Sequence, residues 1–325
     1  MKNTVMRAVL AAAAASLTLA TVVTATPAGA VTAPLSRAHI VAHFDLAKGQ
    51  SPENILIEPD GAVDVTFAAA HQLARVDRNG TTHILATLPA PSDGGVHTPA
   101  LGFALITGLA RTPDGTLYAL YATGTKDLTG LWRLRPGHRT PERIAALPAE
   151  GLPNGLAFDP RSHAFYITDS VLGTVWSVPQ RGGRAKAWST APELAPRGFL
   201  GANGARVHRN ALWVTNLDQG TVTRIPIGDD RRAGRPAVKA TGLEGIDDFA
   251  FTGRGNEILA ALNQPNKVVR ISADGTNTTV LNASDGLQGP TAVAVHGKDV
   301  YVPSAAYVTT TDPNLLHARL DRPGH

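Results

Sequence analysis

An internal repeat constrains the fold more than any other feature of this sequence. Six segments open on a short apolar stretch, turn, and enter a second apolar stretch, starting at Pro52, Ile106, Pro153, Ala202, Ile246 and Pro290. Successive starts are 54, 47, 49, 44 and 44 residues apart. A period of ~40–50 residues with several short strands per repeat is typical of a β-propeller. We therefore predict an all-β chain that folds as a six-bladed β-propeller.

The rest of each repeat predicts four antiparallel strands per blade. Tight turns such as Pro113-Asp114-Gly115 separate strands rich in aromatic and β-branched residues, for example Ala164-Phe165-Tyr166-Ile167-Thr168. The sixth repeat ends after its third strand, near Leu315 to Leu320. We predict that His39 to Leu46, which precedes the first repeat, supplies the missing strand and closes the ring. A large β-sandwich is the alternative, although it does not require six equivalent units.

The first thirty residues predict a segment that is not part of this domain. Lys2 and Arg7 precede an apolar, Ala-rich stretch from Ala8 to Ala25, and small residues follow it up to Ala30. This order is typical of a secretory signal peptide over residues 1–30, which leaves one domain over 31–325 and predicts a secreted, extracellular protein. A membrane anchor is the alternative, but the stretch is short and interrupted by Thr.

Composition excludes several classes of function. Lys and Arg number 30 against 26 Asp and Glu, a net charge of +4 with no basic run, so we expect no nucleic-acid partner. The sequence has no cysteine, which excludes thiol catalysis and zinc–thiolate sites. We expect a monomer that takes a small-molecule substrate and has no membrane contact after signal cleavage.

The repeat predicts a ring of oxygen-bearing side chains. The first strand of each blade lines the central channel of a propeller, so six equivalent positions should converge near one mouth. These positions are Glu53, Thr107, Asn154, Asn203, Asp247 and Thr291. Two carboxylates and two carboxamides form a cage suited to a hard divalent cation, Ca²⁺ foremost, with Zn²⁺, Mg²⁺ and Mn²⁺ as alternatives. A single Asn-Gly is more often a turn than a metal ligand, but the shared phase in four repeats favours a metal site.

Longer motifs surround these positions. They are Pro52-Glu53, Pro153-Asn154-Gly155-Leu156-Ala157-Phe158-Asp159-Pro160 with Ile167-Thr168-Asp169-Ser170 after it, Asn203-Gly204, and Ile246-Asp247-Asp248. In this order they resemble the SMP-30/gluconolactonase/regucalcin and diisopropylfluorophosphatase group of six-bladed propellers, with paraoxonases as more distant relatives. The resemblance implies that Glu53, Asn154, Asn203 and Asp247 are metal ligands. It also implies that Asp247 is the catalytic base or nucleophile.

Two positions depart from that group's pattern. Asp247-Asp248 stands where Asp-Gly is usual, which leaves open which of the two carboxylates faces the ion. Glu53-Asn54 stands where Glu-Gly is usual. The positions that grip the substrate in sugar lactonases have no clear counterpart here, so the substrate class does not transfer.

The resulting functional hypothesis is a secreted, divalent-metal-dependent hydrolase of a lactone or ester. The cation would stabilise the developing oxyanion, and Asp247 would accept a proton from water or attack directly. His97 lies in a long insertion between the first two repeats and is a candidate proton shuttle, with an exposed loop histidine as the alternative. Phe199 and Leu200 are candidates for a substrate rim. The alternative function is a non-catalytic ligand-binding or scaffolding propeller with a structural ion.

Overall fold

The computed structural model describes residues 35–321, which form six four-stranded antiparallel sheets. The first three blades contain β2 (Pro52–Ile57), β3 (Val63–Phe67), β4 (Gln72–Val76) and β5 (Thr82–Thr87); β6 (Leu105–Arg111), β7 (Leu117–Ala122), β8 (Gly130–Leu134) and β9 (Glu142–Ala146); and β10 (Pro153–Asp159), β11 (Ala164–Asp169), β12 (Thr174–Pro179) and β13 (Lys186–Ser189).

The last three blades complete the ring. They contain β14 (Ala202–His208), β15 (Ala211–Asn216), β16 (Thr221–Pro226) and β17 (Ala237–Ala240); β18 (Ile246–Phe251), β19 (Ile258–Leu262), β20 (Lys267–Ile271) and β21 (Asn277–Leu281); and β22 (Ala294–His296), β23 (Asp299–Ser304) and β24 (Asn314–Leu320) with β1 (Leu35–His43). The predicted six-bladed propeller with four-stranded antiparallel blades is confirmed.

The N-terminal strand lies in the sixth blade, where β1 pairs antiparallel with β24. The paired residues start and end earlier than the predicted segment from His39 to Leu46. Leu46–Lys48 instead form a short 3₁₀ turn, because the Asp45 side chain accepts hydrogen bonds from Ala47 N and Lys48 N and caps it. The predicted signal peptide, residues 1–30, lies outside the described residues.

Each of the first five blades begins with a β-bulge in its inner strand. In the first blade, Pro52 pairs with Phe67 and Ile55 pairs with Val65, so two residues face Thr66 alone. The bulged pairs are Glu53-Asn54, Thr107-Gly108, Asn154-Gly155, Asn203-Gly204 and Asp247-Asp248. A bulge redirects side chains locally. The predicted ring residues therefore share a backbone irregularity as well as a sequence phase.

Adjacent blades are joined by hydrogen bonds from an inner or second strand to a backbone carbonyl of the next inner strand, and these bonds run around the ring. The six donor–acceptor pairs are Thr66 Oγ1 to Thr107 O, Thr107 Oγ1 to Pro153 O, Thr168 Oγ1 to Asn203 O, Thr215 Oγ1 to Asp247 O, Asp248 N to Thr291 O, and Thr291 Oγ1 to Pro52 O. The last pair joins the sixth blade to the first. This circuit fixes the inner strands relative to one another.

Apolar layers between adjacent blades form the core. Between the second and third blades, the rings of Tyr118 and Phe165 pack 4.5 Å apart, and both side chains are buried. Trp213 packs in the same way between the fourth and fifth blades. These contacts assign the recurring aromatic residues to packing between sheets. Within residues 35–321, no helix has the length and apolarity needed to cross a membrane.

Candidate functional site

Three of the four predicted ligands meet at one end of the channel. Glu53, Asn203 and Asp247 are all buried at the openings of their inner strands, and Asn203 hydrogen-bonds the carboxyl group of Asp247. Burial raises the pKa of Asp247 well above its usual range, and the charges of Glu53 and Asp248 raise it further. Side chains 194 positions apart in the sequence, Glu53 and Asp247, therefore act on each other at the axis.

Glu53 has the same kind of environment. Burial raises the pKa of its carboxyl to about 7, against the opposing effect of a hydrogen bond from Tyr307. The Tyr307 hydroxyl donates to Glu53 Oε2 at 2.5 Å. Two carboxyl groups held this close in a buried site repel each other when both are ionised, and a cation between them would offset that cost.

Asn154 occupies the equivalent opening of the third blade. Its Nδ2 donates to Ser170 Oγ at 3.1 Å, and Ser170 Oγ donates onward to Ala202 O at 2.7 Å. Because the amide nitrogen is used in this way, Oδ1 remains an acceptor. Asn154 can therefore supply its amide oxygen as a ligand to a cation.

The other two ring positions have a structural role. Thr107 and Thr291 both donate their hydroxyl hydrogen to the circuit of hydrogen bonds between blades. The acceptors are Pro153 O at 2.8 Å and Pro52 O at 3.0 Å. Their oxygens are fully buried. This bonding separates the two threonines from the four residues with carboxyl or amide groups.

Asp247 and Asp248 have different partners. Asp248 Oδ2 accepts from Arg206 Nη2 at 2.8 Å and from Asn54 Nδ2 at 2.9 Å, while Oδ1 accepts from Phe249 N. The carboxylate of Asp248 is therefore already paired with a cationic side chain and hydrogen-bonded. The groups that act on the Asp247 carboxyl are Glu53, Asp248 and Asn203, and none of them is cationic. Of the two, Asp247 is the better candidate ligand.

Sequence reasoning missed two residues of this site. Arg206 carries a charge at a position where equivalent inner strands have Leu56, Ala157 and Ala250, which is a signal that the repeat alignment could have revealed. Tyr307 has no such signal. It follows β23 in an irregular loop, directly after Ala306, whose φ is +56°. Its contact with Glu53 depends on the sixth blade lying beside the first.

The donor set can be tested against the divalent cation that the resemblance implies. Within the described part of the chain, no group of three or more Asp, Glu or His side chains is arranged to hold a metal ion. The candidate site has two carboxylates and needs the amide oxygens of Asn154 and Asn203. Neutral and anionic oxygens in this proportion suit Ca²⁺ or another hard cation. The chemistry of these four side chains therefore fits a divalent cation.

His97 lies apart from this geometry. Its side chain is 75% exposed, and its Nε2 is 3.9 Å from Asp93 Oδ2. The insertion itself does reach the channel mouth, because Leu101 and Phe103 pack on the same buried apolar cluster as Tyr307. A role for His97 as a proton shuttle stays a prediction, and it would require the imidazole to turn inward.

No protein-family model and no curated protein matches the sequence. The class that the fold defines is the six-bladed β-propeller, and solved structures with this fold include regucalcin and gluconolactonase.

Three of these structures illustrate the range of proteins that share the fold. The calcium-binding protein regucalcin from Agrobacterium tumefaciens is 15% identical, with a TM-score of 0.63 over 88% of this chain and 96% of that one. A gluconolactonase from Xanthomonas campestris is 14% identical, with a TM-score of 0.62 over 90% and 94%. Virginiamycin B lyase from Staphylococcus aureus is 16% identical, with a TM-score of 0.59 over 84% and 82%. At these identities the likeness shows the fold alone.

Proposed function

We propose that this protein is a secreted hydrolase of a lactone or ester that depends on a divalent cation, with Ca²⁺ as the first candidate. The observation that carries the proposal is the buried pair of carboxyl groups, Glu53 and Asp247, beside the Asn203 carboxamide, with Asn154 at the equivalent opening of the third blade. A calcium-binding protein and a gluconolactonase share this fold, which supports the same direction. Secretion rests on the sequence of residues 1–30.

The four side chains would have different roles in the reaction. Glu53, Asn154 and Asn203 would hold the cation together with Asp247, which would also face the substrate. A bound cation would stabilise negative charge on the carbonyl oxygen and keep the Asp247 carboxyl ionised. Asp247 would accept a proton from water as the water oxygen bonds to the carbonyl carbon. The carbon–oxygen bond to the leaving alkoxide then breaks, and the alkoxide takes up a proton to give acid and alcohol.

A second candidate function has its own support. Glu53 and Asp247 are each only 8% exposed, and Tyr307 covers Glu53. Carboxyl groups buried to this extent suit a ligand-binding or scaffolding propeller with a structural ion. The two candidate functions differ in whether the protein converts a substrate to product.

Hydrolysis of a panel of lactones and aryl esters tests the proposal. We expect chelation with EDTA to abolish activity and Ca²⁺ to restore it. Asp247→Asn should lower kcat/KM by about 10²–10⁴-fold, because the variant loses the proton acceptor. Asp229→Asn is the matched control, since Asp229 is exposed in the loop between β16 and β17 and should retain full activity.

Two results would count against the proposal. Activity that is indifferent to EDTA and to Asp247→Asn would remove the mechanism. Calcium binding without turnover of any substrate in the panel would favour the second candidate function.

A further inference from the structure

Apolar side chains from several blades meet at the channel mouth. We call them the mouth cluster, and its members are Leu101, Phe103, Val171, Phe199, Leu217 and Tyr307. All six are partly exposed and pack on a buried apolar base. They come from five connections between strands, with Leu101 and Phe103 in the same one, so no single strand accounts for their meeting.

The strand order places the mouth cluster at the same end of the channel as the carboxyl groups. Phe103 and Phe199 precede the inner strands β6 and β14, whose first residues open the ring. Val171 and Leu217 follow the second strands β11 and β15. In an antiparallel pair, the end of one strand lies beside the start of its partner. All four side chains therefore lie at the end where Glu53 and Asp247 are found.

Tyr307 connects the mouth cluster to the candidate metal site. Its ring packs within the cluster, and its hydroxyl donates to Glu53 Oε2 at 2.5 Å. One side chain therefore touches both the apolar surface and a proposed metal ligand. A ligand whose carbonyl approaches the carboxyl groups from this end would lie against the mouth cluster.

Exposed apolar residues extend the same surface. Among the described residues, five large hydrophobic side chains are exposed, and three of them are in loops at this end: Val96 at 60%, Leu172 at 38% and Val308 at 53%. The other two, Ile84 and Val238, lie on the outer strands β5 and β17. Exposed apolar surface concentrated around a mouth marks a ligand or partner site.

We infer that the substrate carries an alkyl or aryl group beside its ester or lactone carbonyl and that the mouth cluster binds this group. The inference rests on the proposed function and deepens it. A polyhydroxylated sugar lactone would press its hydroxyl groups against Leu, Val and Phe side chains, where hydrogen-bond partners are lost. An alkyl group gains free energy on the same surface by leaving water.

Chain-length dependence tests the inference. For esters of one alcohol, we expect kcat/KM to rise about threefold to fourfold per buried methylene from acetate to hexanoate, and gluconolactone to be a poor substrate. Phe199→Ala should flatten this dependence. Val238→Ala, on the outer strand β17, is the matched control and should keep it. Leu172→Ser changes an exposed loop residue, so it provides a second test that does not depend on core packing.

Binding of a substrate analogue separates this inference from the proposed function. A cyclopentanone with a hexyl substituent has a methylene in place of the lactone ring oxygen, so it cannot be hydrolysed. We expect calorimetry to show that it binds at least tenfold more tightly than cyclopentanone, since six methylene-sized groups leave water. Equal binding, or calcium-dependent hydrolysis with no chain-length dependence, would overturn the inference and leave the hydrolase intact. Tight binding of the hexyl compound without any turnover would support the apolar site and refute the hydrolase.

Discussion

At the scale of single residues, the two departures from the pattern of the propellers that the sequence resembles lie in contact with each other. Asn54 and Asp248 stand where Gly is usual, and Asn54 Nδ2 donates to Asp248 Oδ2 at 2.9 Å. They belong to the first and fifth blades, so this hydrogen bond crosses the channel. Arg206 supplies the balancing charge from the fourth blade. Together Asn54, Asp248 and Arg206 form a polar cluster beside the candidate metal site.

The hydrogen bond between Asn54 and Asp248 predicts energetic coupling between the two residues. In a double-mutant cycle, Asn54→Ala and Asp248→Ala should show a coupling free energy of about 1–3 kcal/mol, because the hydrogen bond has a buried, charged acceptor. Urea unfolding of the wild type, both single variants and the double variant measures it. Additive effects, within about 0.5 kcal/mol, would show that the contact contributes nothing.

Sequence reasoning could find the residues of the candidate site only where the repeat carries them. Glu53, Asn154, Asn203 and Asp247 share a phase, and the structure gives all four the same bulged position. Tyr307 could not be found in this way, since its contact with Glu53 joins a loop of the sixth blade to the inner strand of the first. The choice between Asp247 and Asp248 also needed hydrogen-bond partners that only the structure provides.

At the scale of strands, threonines in the second strand support the bulges of three blades. Thr66, Thr168 and Thr215 each face a bulged pair, and each Oγ1 accepts from the backbone N–H of the second bulged residue. The same hydroxyl then donates to the inner strand of the next blade. One side chain thus satisfies two backbone groups and links two blades.

Thr215 allows a matched test of this role. Thr215→Val keeps the shape but removes the bonds to Gly204 N and Asp247 O, so it should lower the free energy of unfolding by about 2 kcal/mol. It should also weaken calcium binding, because the backbone of Asp247 loses a partner. Thr223→Val is the control, since Thr223 is buried on β16 and its Oγ1 has no hydrogen-bond partner within residues 35–321. Equal destabilisation by the two variants, measured by thermal unfolding, would contradict the assigned role.

Strand boundaries were less predictable than strand number. The repeat period indicated six four-stranded blades, but it placed β1 from His39 to Leu46 where the structure has Leu35–His43. The Asp45 cap, which ends the extended backbone, is a local feature that hydrophobic patterning does not detect. In the sixth blade, regular pairing of the inner strand is limited to Ala294–His296, with a single bridge at Pro290.

At the scale of the whole molecule, the ring of blades brings distant parts of the sequence to one axis. The circuit of hydrogen bonds returns from Thr291 to Pro52, and β1 pairs with β24 in the same closing blade. Such closure leaves each inner strand with neighbours on both sides. The position of Glu53 relative to Asp247 is therefore set by the complete ring, and the proposed chemistry depends on it.

Calcium titration calorimetry of the protein tests the central claim, that axial side chains from separate blades hold a cation. We expect one site per chain in the wild type, loss of binding in Glu53→Gln, and unchanged binding in Glu142→Gln, which removes a carboxylate from the outer strand β9. Binding that persists unchanged in Glu53→Gln, or no calcium binding by the wild type, would contradict the account.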